Sequence, residues 1–328
     1  MDRFISIIIP NHNKGDTLAL CLEAAFASEY SRYEVIVVDD RSTDNSINII
    51  EKYPCKLICL DKKSGASVAR NAGARVSKGD LLFFTDADCL LQKDTLFEVN
   101  RAMQAAGSET IIGGTYTSIP FDNDFFSSFQ SVWIHYSETK HPDNPDYIAS
   151  HAMAITTSTF RRGSGFPEDF MPIIEDVEYS HRLKREGCRL IMESRIQVRH
   201  IFNFSLARSL KNAYRKSMYW MLYSLKNRDV LSDSGTASVE LKLNVASFFI
   251  CALLIVIAAV LMKPFAAITA LFIFTLNILY NARLGIYFKR QRGTVFALKA
   301  FIYYLLCYPL PIGMGTASAL FRHLTGRA

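Results

Sequence analysis

From Arg195 to the end of the chain acidic residues nearly vanish: Asp229, Asp233 and Glu240 stand against seventeen Lys and Arg, a net +14. The whole chain of 328 residues carries +6, which leaves about −8 on the residues up to Ser194. The acid-poor part also holds the long apolar runs, and that pairing suits an anionic membrane surface better than nucleic acid. Leu243–Met262 lacks any charge over twenty residues, enough to cross the hydrocarbon of a bilayer. The seven cysteines lack metal-ligand spacing; Cys55 and Cys59 lie in a largely apolar stretch, Cys251 and Cys307 in apolar runs. That argues against a zinc module or a disulfide scaffold and for reduced, buried thiols. No signal-peptide pattern precedes the first strand, since Met-Asp-Arg leads straight into it, so the expectation is a cytosol-facing domain.

What is present divides near Arg195. Before it, β-rich apolar runs at Phe4–Ile9, Tyr33–Val38, Cys55–Leu60 and Leu81–Thr85 alternate with helical spacing at Asp16–Phe26, Ser42–Lys52 and Ser67–Val76. Ser42 or Thr43 is the expected N-cap of the second helix. Alternation of this kind predicts an α/β domain with a mostly parallel, doubly wound sheet. Ligands of such sheets sit beyond the carboxyl ends of the strands, where this chain places Pro10-Asn11, Asp39-Asp40 and Asp86-Ala87-Asp88. After Arg195, Ser205–Lys226 reads as an amphipathic helix. Arg208, Lys211, Asn212, Arg215 and Lys216 lie on one side, with Leu206, Leu210, Tyr214, Met221, Leu222 and Leu225 mainly on the other. A helix in the membrane interface is one reading, and an ordinary helix over the catalytic core is the other. Leu243–Met262 and Phe265–Ala282 are expected to form a membrane hairpin around Lys263-Pro264, with a basic loop Arg283–Arg292 on the cytoplasmic side. Val295–Leu320, interrupted by Pro309, Pro311, Gly313 and Gly315, either crosses or re-enters. The tail residues Arg322 and Arg327 favour a cytoplasmic end.

Asp86-Ala87-Asp88 carries the first chemical signal. Two carboxylates one residue apart on a turn after a strand can hold a hard divalent cation and a ribose, though the triplet alone is common in loops. Four stretches then stand in order: Ile5-Ser6-Ile7-Ile8-Ile9-Pro10-Asn11-His12-Asn13, Val35-Ile36-Val37-Val38-Asp39-Asp40-Arg41-Ser42-Thr43-Asp44, Ala69-Arg70-Asn71-Ala72-Gly73 and Asp86-Ala87-Asp88. Together, over roughly Phe4 to His200, they resemble the family 2 glycosyltransferases. The resemblance implies a GT-A-like nucleotide-sugar-binding fold, a nucleotide diphosphate sugar donor and inversion at the anomeric carbon. It further implies that Pro10, Asn11, Asp40 and Arg70 line the nucleotide pocket, with Asp39 in support. Asp86 and Asp88 would hold Mg2+ or Mn2+, and His200 is a further candidate ligand. Asp40 could accept the N3–H of uracil, which favours a UDP-sugar. The alternative for Asp39 and Asp40 is charge complementing the following helix.

Gly163-Ser164-Gly165-Phe166-Pro167-Glu168 and Glu175-Asp176 resemble the family's acceptor loop and its acidic pair at a helix start. Transfer to a hydroxyl needs a base; Asp176 is the candidate, Glu175 its orienting neighbour, and the adjacent charge would raise the pKa of one of them. The alternative is helix-dipole complementarity alone. Processive members carry Gln-x-x-Arg-Trp where this chain has Asn212-Ala213-Tyr214-Arg215-Lys216-Ser217-Met218-Tyr219-Trp220, which argues for single-sugar transfer and leaves Arg215 or Lys216 to reach the diphosphate. The sequence therefore predicts a catalytic domain over residues 1–203 (donor half 1–106, acceptor half 107–203), a helix and linker over 204–242, and a membrane region over 243–328. The expected acceptor is a lipid or lipid-linked saccharide met at the cytoplasmic face of the inner membrane, with no nucleic-acid partner. A polyprenyl-phosphate sugar synthase and a non-catalytic membrane scaffold of the same fold are the rival readings.

Overall fold

The computed structural model describes residues 2–326, so Arg327 lies outside them. The chain divides into two compact units: residues up to Asn123 with Glu138–Asn203, and Asp124–Ser137 with the residues from Phe204 onward. The first unit begins β1 (Ile5–Asn11), α1 (Gly15–Phe26), β2 (Tyr33–Asp39), α2 (Ser46–Ile50), β3 (Lys56–Cys59), α3 (Ala66–Val76), β4 (Leu81–Phe84), β5 (Cys89–Leu91), α4 (Thr95–Ala106) and β6 (Thr110–Tyr116). α5 (Phe125–Thr139) falls almost wholly in the second unit, although the sequence placed it within the catalytic domain. The first unit resumes with a 3-10 turn at Ser150–Ala152, then β7 (Met153–Thr156), α6 (Thr157–Arg162), α7 (Glu175–Arg185) and β8 (Arg189–His200).

The eight strands form one sheet in the order β3-β2-β1-β4-β7-β6-β8-β5. β1, β2, β3 and β4 are parallel, as the alternation of strands and helices predicts. Ile5, Ile7, Ile8 and Ile9, like Val35 to Val38, are buried whichever way they point, the signature of strands covered on both faces. The other half is mixed. β7 runs antiparallel to β4 and β6, β8 is parallel to β6, and β5 is antiparallel to β8. The sheet is therefore a mixed one, less parallel than the sequence led us to expect. In β6 a Cβ on Gly114 would stand 2.4 Å from the Ile196 carbonyl oxygen, so only glycine lets β8 approach there, beside the bulge between Gly113 and Thr115.

Two local expectations fail. α2 spans only Ser46–Ile50, and neither Ser42 nor Thr43 caps it, because Ser42 Oγ donates to Asp39 instead. Asp44 provides the local turn bond, accepting from the Ser46 amide at 3.0 Å.

The second unit contains α5, α8 (Leu206–Asn227), α9 (Val239–Val260), α10 (Pro264–Tyr280), α11 (Ala282–Ile302), a π turn at Tyr303–Cys307 and α12 (Pro309–Leu324). Ser205 caps α8 by accepting from the Arg208 amide. α12 packs on α8: Tyr214 Oη donates to Ser318 Oγ at 3.0 Å, and a Cβ on Gly315 would meet the Tyr214 carbonyl at 2.4 Å. The residues α8 buries are Ser209, Ala213, Met218, Leu222, Tyr223 and Ser224, so of the expected apolar side only Leu222 is buried, and Leu206 is exposed. Arg208, Lys211, Arg215 and Lys216, on the expected basic side, are exposed.

Two helical stretches, Val239–Val260 and Ala282–Leu324, are long and apolar enough to cross a membrane; Pro264–Tyr280 is apolar but shorter. α9 and α10 leave large side chains such as Leu253, Val260, Phe265 and Leu271 exposed. The basic segment Arg283–Arg292 is helical rather than a loop, burying Leu284 and Phe288 while Arg283, Lys289 and Arg290 face out, and it ends where Gly293 takes φ +82°. Pro309 and Pro311 do not interrupt the last segment. They fall in the first turn of α12, where a missing N–H costs nothing, and the π turn before them takes up the change in winding.

Polar side chains fasten these apolar helices. Asn244 donates to the Tyr304 carbonyl at 2.8 Å, Asn277 donates to Asn244 Oδ1 at 2.8 Å, Asn281 donates to Asn277 Oδ1 at 2.9 Å, and Tyr304 Oη donates to Asn281 Oδ1 at 3.2 Å. All four residues are buried and each bond is answered within the group. Asn277→Ala removes two of these bonds and should lower the thermal midpoint of the protein in detergent, at a cost of about 1 kcal/mol per bond. An unchanged midpoint would mean that the network does not hold these helices together.

Candidate active site

The carboxyl ends of β1, β2 and β4 bring Asn11, Asp39, Asp40 and Asp86 to one edge of the sheet. Asn11 and Asp39 are register partners, and Asn11 Nδ2 donates to Asp39 Oδ1 at 2.8 Å. Asp39 also accepts from Ser42 Oγ at 2.5 Å and from the Ser42 amide at 2.9 Å. Its carboxylate is thus committed to tying two strand ends together, a supporting position rather than one facing a ligand. Asp40 accepts from the amides of Ser64 and Gly65, at 2.6 and 2.8 Å, and so fixes the entry to α3. Neither carboxylate caps α2. Pro10 lies beside them in β1 and is partly exposed.

α3 delivers Arg70 into the centre of the site, 4% exposed. One guanidinium nitrogen donates to Asp86 Oδ1 at 2.8 Å and the other to Glu175 Oε1 at 2.9 Å. Burial alone would lower the arginine's pKa, but Asp86 and Glu175 outweigh it, so the group is charged at any working pH. The expected base-pocket arginine is thereby the link between the donor motif on β4 and the acidic pair on α7.

Asp88 sits two residues further on, held from two sides. Lys14 Nζ donates to Asp88 Oδ2 at 2.7 Å, and His200 Nε2 lies 3.4 Å from Oδ1. Burial pushes the Asp88 carboxyl up, yet His200 and Lys14 outweigh it and hold the group below the usual carboxylate range. His200 is stacked on Phe202 at 4.0 Å, and burial lowers its pKa against the pull of Asp88 and Asp86, so the ring is neutral near pH 7. Its Nδ1 is buried and has no hydrogen-bond partner among the described residues.

Ligand atoms of Asp88, Cys89 and His200 fall within 4.8 Å of one another. An ionised carboxylate beside a neutral imidazole, which offers one ring-nitrogen lone pair, fits a divalent cation that keeps water or substrate oxygens as its other ligands. Cys89 does not fit, because burial first and the two aspartates after it push its thiol far up and keep it protonated. Asp86 stands outside this group, its Oδ1 engaged by Arg70, so the structure gathers two of the three expected ligands.

Glu175 and Asp176 open α7, as the acidic pair predicts. Asp176 Oδ2 accepts from the Ser150 amide at 3.0 Å and Oγ at 3.4 Å. Burial, and after it the neighbouring Glu175, pushes the Asp176 carboxyl up to about 6, against the opposing pull of the Ser150 amide, Arg70 and His151. The direction is the expected one, but burial contributes more than the neighbouring charge.

One unit thus brings together Asn11, Asp39, Asp40, Arg70, Asp86, Asp88, Glu175, Asp176 and His200, whereas Arg215 is an exposed residue of the second unit. Two participants escaped the sequence reading. Lys14 had a visible signal, a cation directly behind the first strand motif. Ser150 had none, being an unremarked serine twenty-six positions before the carboxylate it serves.

Residues 6–164 match the model of Glycosyl transferase family 2, a span that holds every donor motif and ends short of Glu175. This chain carries a family 2 glycosyltransferase domain. Among curated relatives, Glycosyltransferase GlyG of Streptococcus pneumoniae is 29% identical over 131 residues, 38% of this chain and 44% of that protein. WfaP of Escherichia coli, a UDP-Glc:alpha-D-GlcNAc-diphosphoundecaprenol beta-1,3-glucosyltransferase, is 37% identical over 87 residues, 26% of this chain and 35% of its own length. The chain therefore spans less than half of either relative. Mannosyltransferase PcManGT of Pyrobaculum calidifontis, solved with GDP-Man and Mn2+, aligns with 100% of this chain and 89% of its own at a TM-score of 0.60 and 17% identity, a likeness of fold alone.

Within the family 2 domain, Arg70→Met should be costly to the fold. It strands Asp86 and Glu175 without their counter-charge, and breaking a largely buried ion pair costs about 3 kcal/mol. The expected result is a clear drop in the melting midpoint of the full chain in detergent; an unchanged midpoint would show that the two carboxylates are satisfied by water instead.

Proposed function

We propose that this protein transfers a single sugar, with inversion, from a nucleotide diphosphate sugar to a hydroxyl of a lipid or lipid-linked saccharide at the cytoplasmic membrane face. The observation that carries the reading is Asp176, a buried carboxyl raised to about 6, at the start of α7 and joined through Glu175 and Arg70 to the Asp86-Ala87-Asp88 turn. A hydroxyl acceptor must lose its proton as it attacks, and a carboxylate whose pKa lies close to neutrality is suited to take it. A phosphate acceptor arrives ionised and has no use for such a base.

The donor side follows from the strand ends. Two acceptor positions of Asp40 are filled by backbone amides, and a carboxylate offers about four, so lone pairs remain for the N3–H of uracil. Pro10 and Asn11 would border the base, and Arg70 and Asp86 the ribose and diphosphate. Asp88 and His200 would hold Mg2+ or Mn2+, which when bound neutralises charge on the departing diphosphate. Lys14 and Arg70 bring fixed positive charge to the same region. The exposed apolar faces of α9 and α10 and the +14 charge from Arg195 onward favour integral attachment at an anionic, cytoplasmic leaflet. What the name of WfaP says of its acceptor supports a lipid-linked saccharide here.

Asp176→Asn should cut turnover by at least ~10²-fold with donor affinity nearly unchanged, the usual share of general-base catalysis. In the unaltered protein only the ionised carboxyl works, so the rate should fall as pH drops through about 6 and level off above it. Near-normal turnover of the variant, or a rate flat from pH 5 to 7, would hand the case to a phosphate acceptor. Asp88→Asn and His200→Ala should each weaken Mn2+ binding by about tenfold or more, read by calorimetry. Unchanged Mn2+ affinity in both would remove the metal from this site.

A further inference from the structure

Asn71, next to Arg70 on α3, has its side chain buried and fully used, and every bond it makes goes to one loop. Its Oδ1 accepts from the Phe166 amide at 2.9 Å, and its Nδ2 donates to the Phe166 carbonyl at 2.8 Å and to Glu168 Oε1 at 2.9 Å. The side-chain amide thus pairs with the backbone of Phe166 as a neighbouring strand would, across ninety-five positions of sequence. The loop is shaped to receive it. Gly165 takes φ +69°, and a Cβ there would stand 2.5 Å from Asn71 Oδ1, so both the backbone and the space demand glycine. Phe166 is 1% exposed, its ring under the Arg70 guanidinium at 5.5 Å and edge-on to Phe84 at 5.1 Å. Arg182 on α7 donates to the Gly165 carbonyl, so the loop is also joined to the helix that carries Asp176.

α3 is fastened to the nucleotide side by other bonds. Asp40 holds the two amides at its entry, and Arg70 holds Asp86. Consecutive residues of one helix therefore grip the donor motif and the loop Gly163–Glu168. The geometry points to Asn71 as a positioning residue that makes the order of this loop depend on the nucleotide pocket, so that a bound donor sets the loop for the acceptor. This rests on the donor reading proposed above. Asn71 touches neither substrate in this role; it acts through Phe166 and Glu168. A side chain that served stability alone would leave the loop indifferent to nucleotide.

The test is hydrogen exchange on the full chain in detergent, with UDP or GDP plus Mn2+ as the probes, followed at the amides of Gly163, Ser164, Gly165, Phe166 and Glu168. In the unaltered protein the nucleotide should slow their exchange by about fivefold or more, a modest coupling between two sites. Asn71→Ala should abolish that slowing while nucleotide affinity stays within about threefold. Asn71→Asp keeps the volume and the acceptor for the Phe166 amide but loses both donated bonds, and it should also lose the slowing if the alanine variant does not fold. Slowing that persists in the folded variants, or a loop unaffected by bound nucleotide in the unaltered protein, overturns the coupling and leaves the donor reading standing. If neither nucleotide binds the unaltered protein, the donor reading itself falls and takes this inference with it.

Discussion

A guanidinium buried to 4% exposure between two carboxylates is the constraint on which the catalytic unit turns. Arg70 could not be sealed there alone, because an unpaired buried charge is far too costly, and neither Asp86 nor Glu175 would hold its position without it. Glu175 lies 105 positions from Arg70 in the chain, so forming that bond draws α7 onto α3, while the bond to Asp86 holds the turn after β4. Its consequences spread from there. Asp86 pairs with Arg70, whereas Asp88 pairs with Lys14 and lies beside His200, so the two carboxylates of the triplet have different partners. Glu175 is held by Arg70, and beside it burial first, then the Glu175 charge, raises the pKa of Asp176, the condition for a base.

The parallel half of the sheet was legible because its strands are short, uniformly apolar and punctuated by polar residues at one end, and β1, β2 and β4 appear within a residue or two of where the pattern put them. The mixed half was not. β7 is four residues, MAIT, too short for a period, and β6 includes two adjacent glycines that weaken any strand signal while serving the approach of β8. Site residues followed the same division. Those carried by strand-end motifs could be named from order and spacing; Ser150, which acts mainly through its backbone amide, leaves no mark in a sequence. The bond from Arg70 to Asp86 Oδ1 likewise leaves no mark in the sequence.

In the second unit the same physics misled in a different way. A run of cations between apolar segments reads as a loop, and prolines and glycines read as a break, yet both stretches are helical. Burial of Leu284 and Phe288 at one-turn spacing gives the basic segment an apolar side, and the π turn lets the chain pass Pro309 and Pro311 without losing its winding. The three asparagines and Tyr304 are a buried polar fastening that helps to choose which of these apolar helices pair.

The central claim, transfer to a hydroxyl in a lipid phase, is tested most directly by the linkage of the product. Membranes containing the full chain are given a radiolabelled nucleotide sugar, and the lipid extract is treated with mild acid. A sugar joined to a hydroxyl stays on its lipid, or leaves as a labelled oligosaccharide when the lipid-linked saccharide is cut at its phosphate. The account predicts one of these two results; release of the label as a free monosaccharide, the mark of a sugar esterified directly to phosphate, would contradict it.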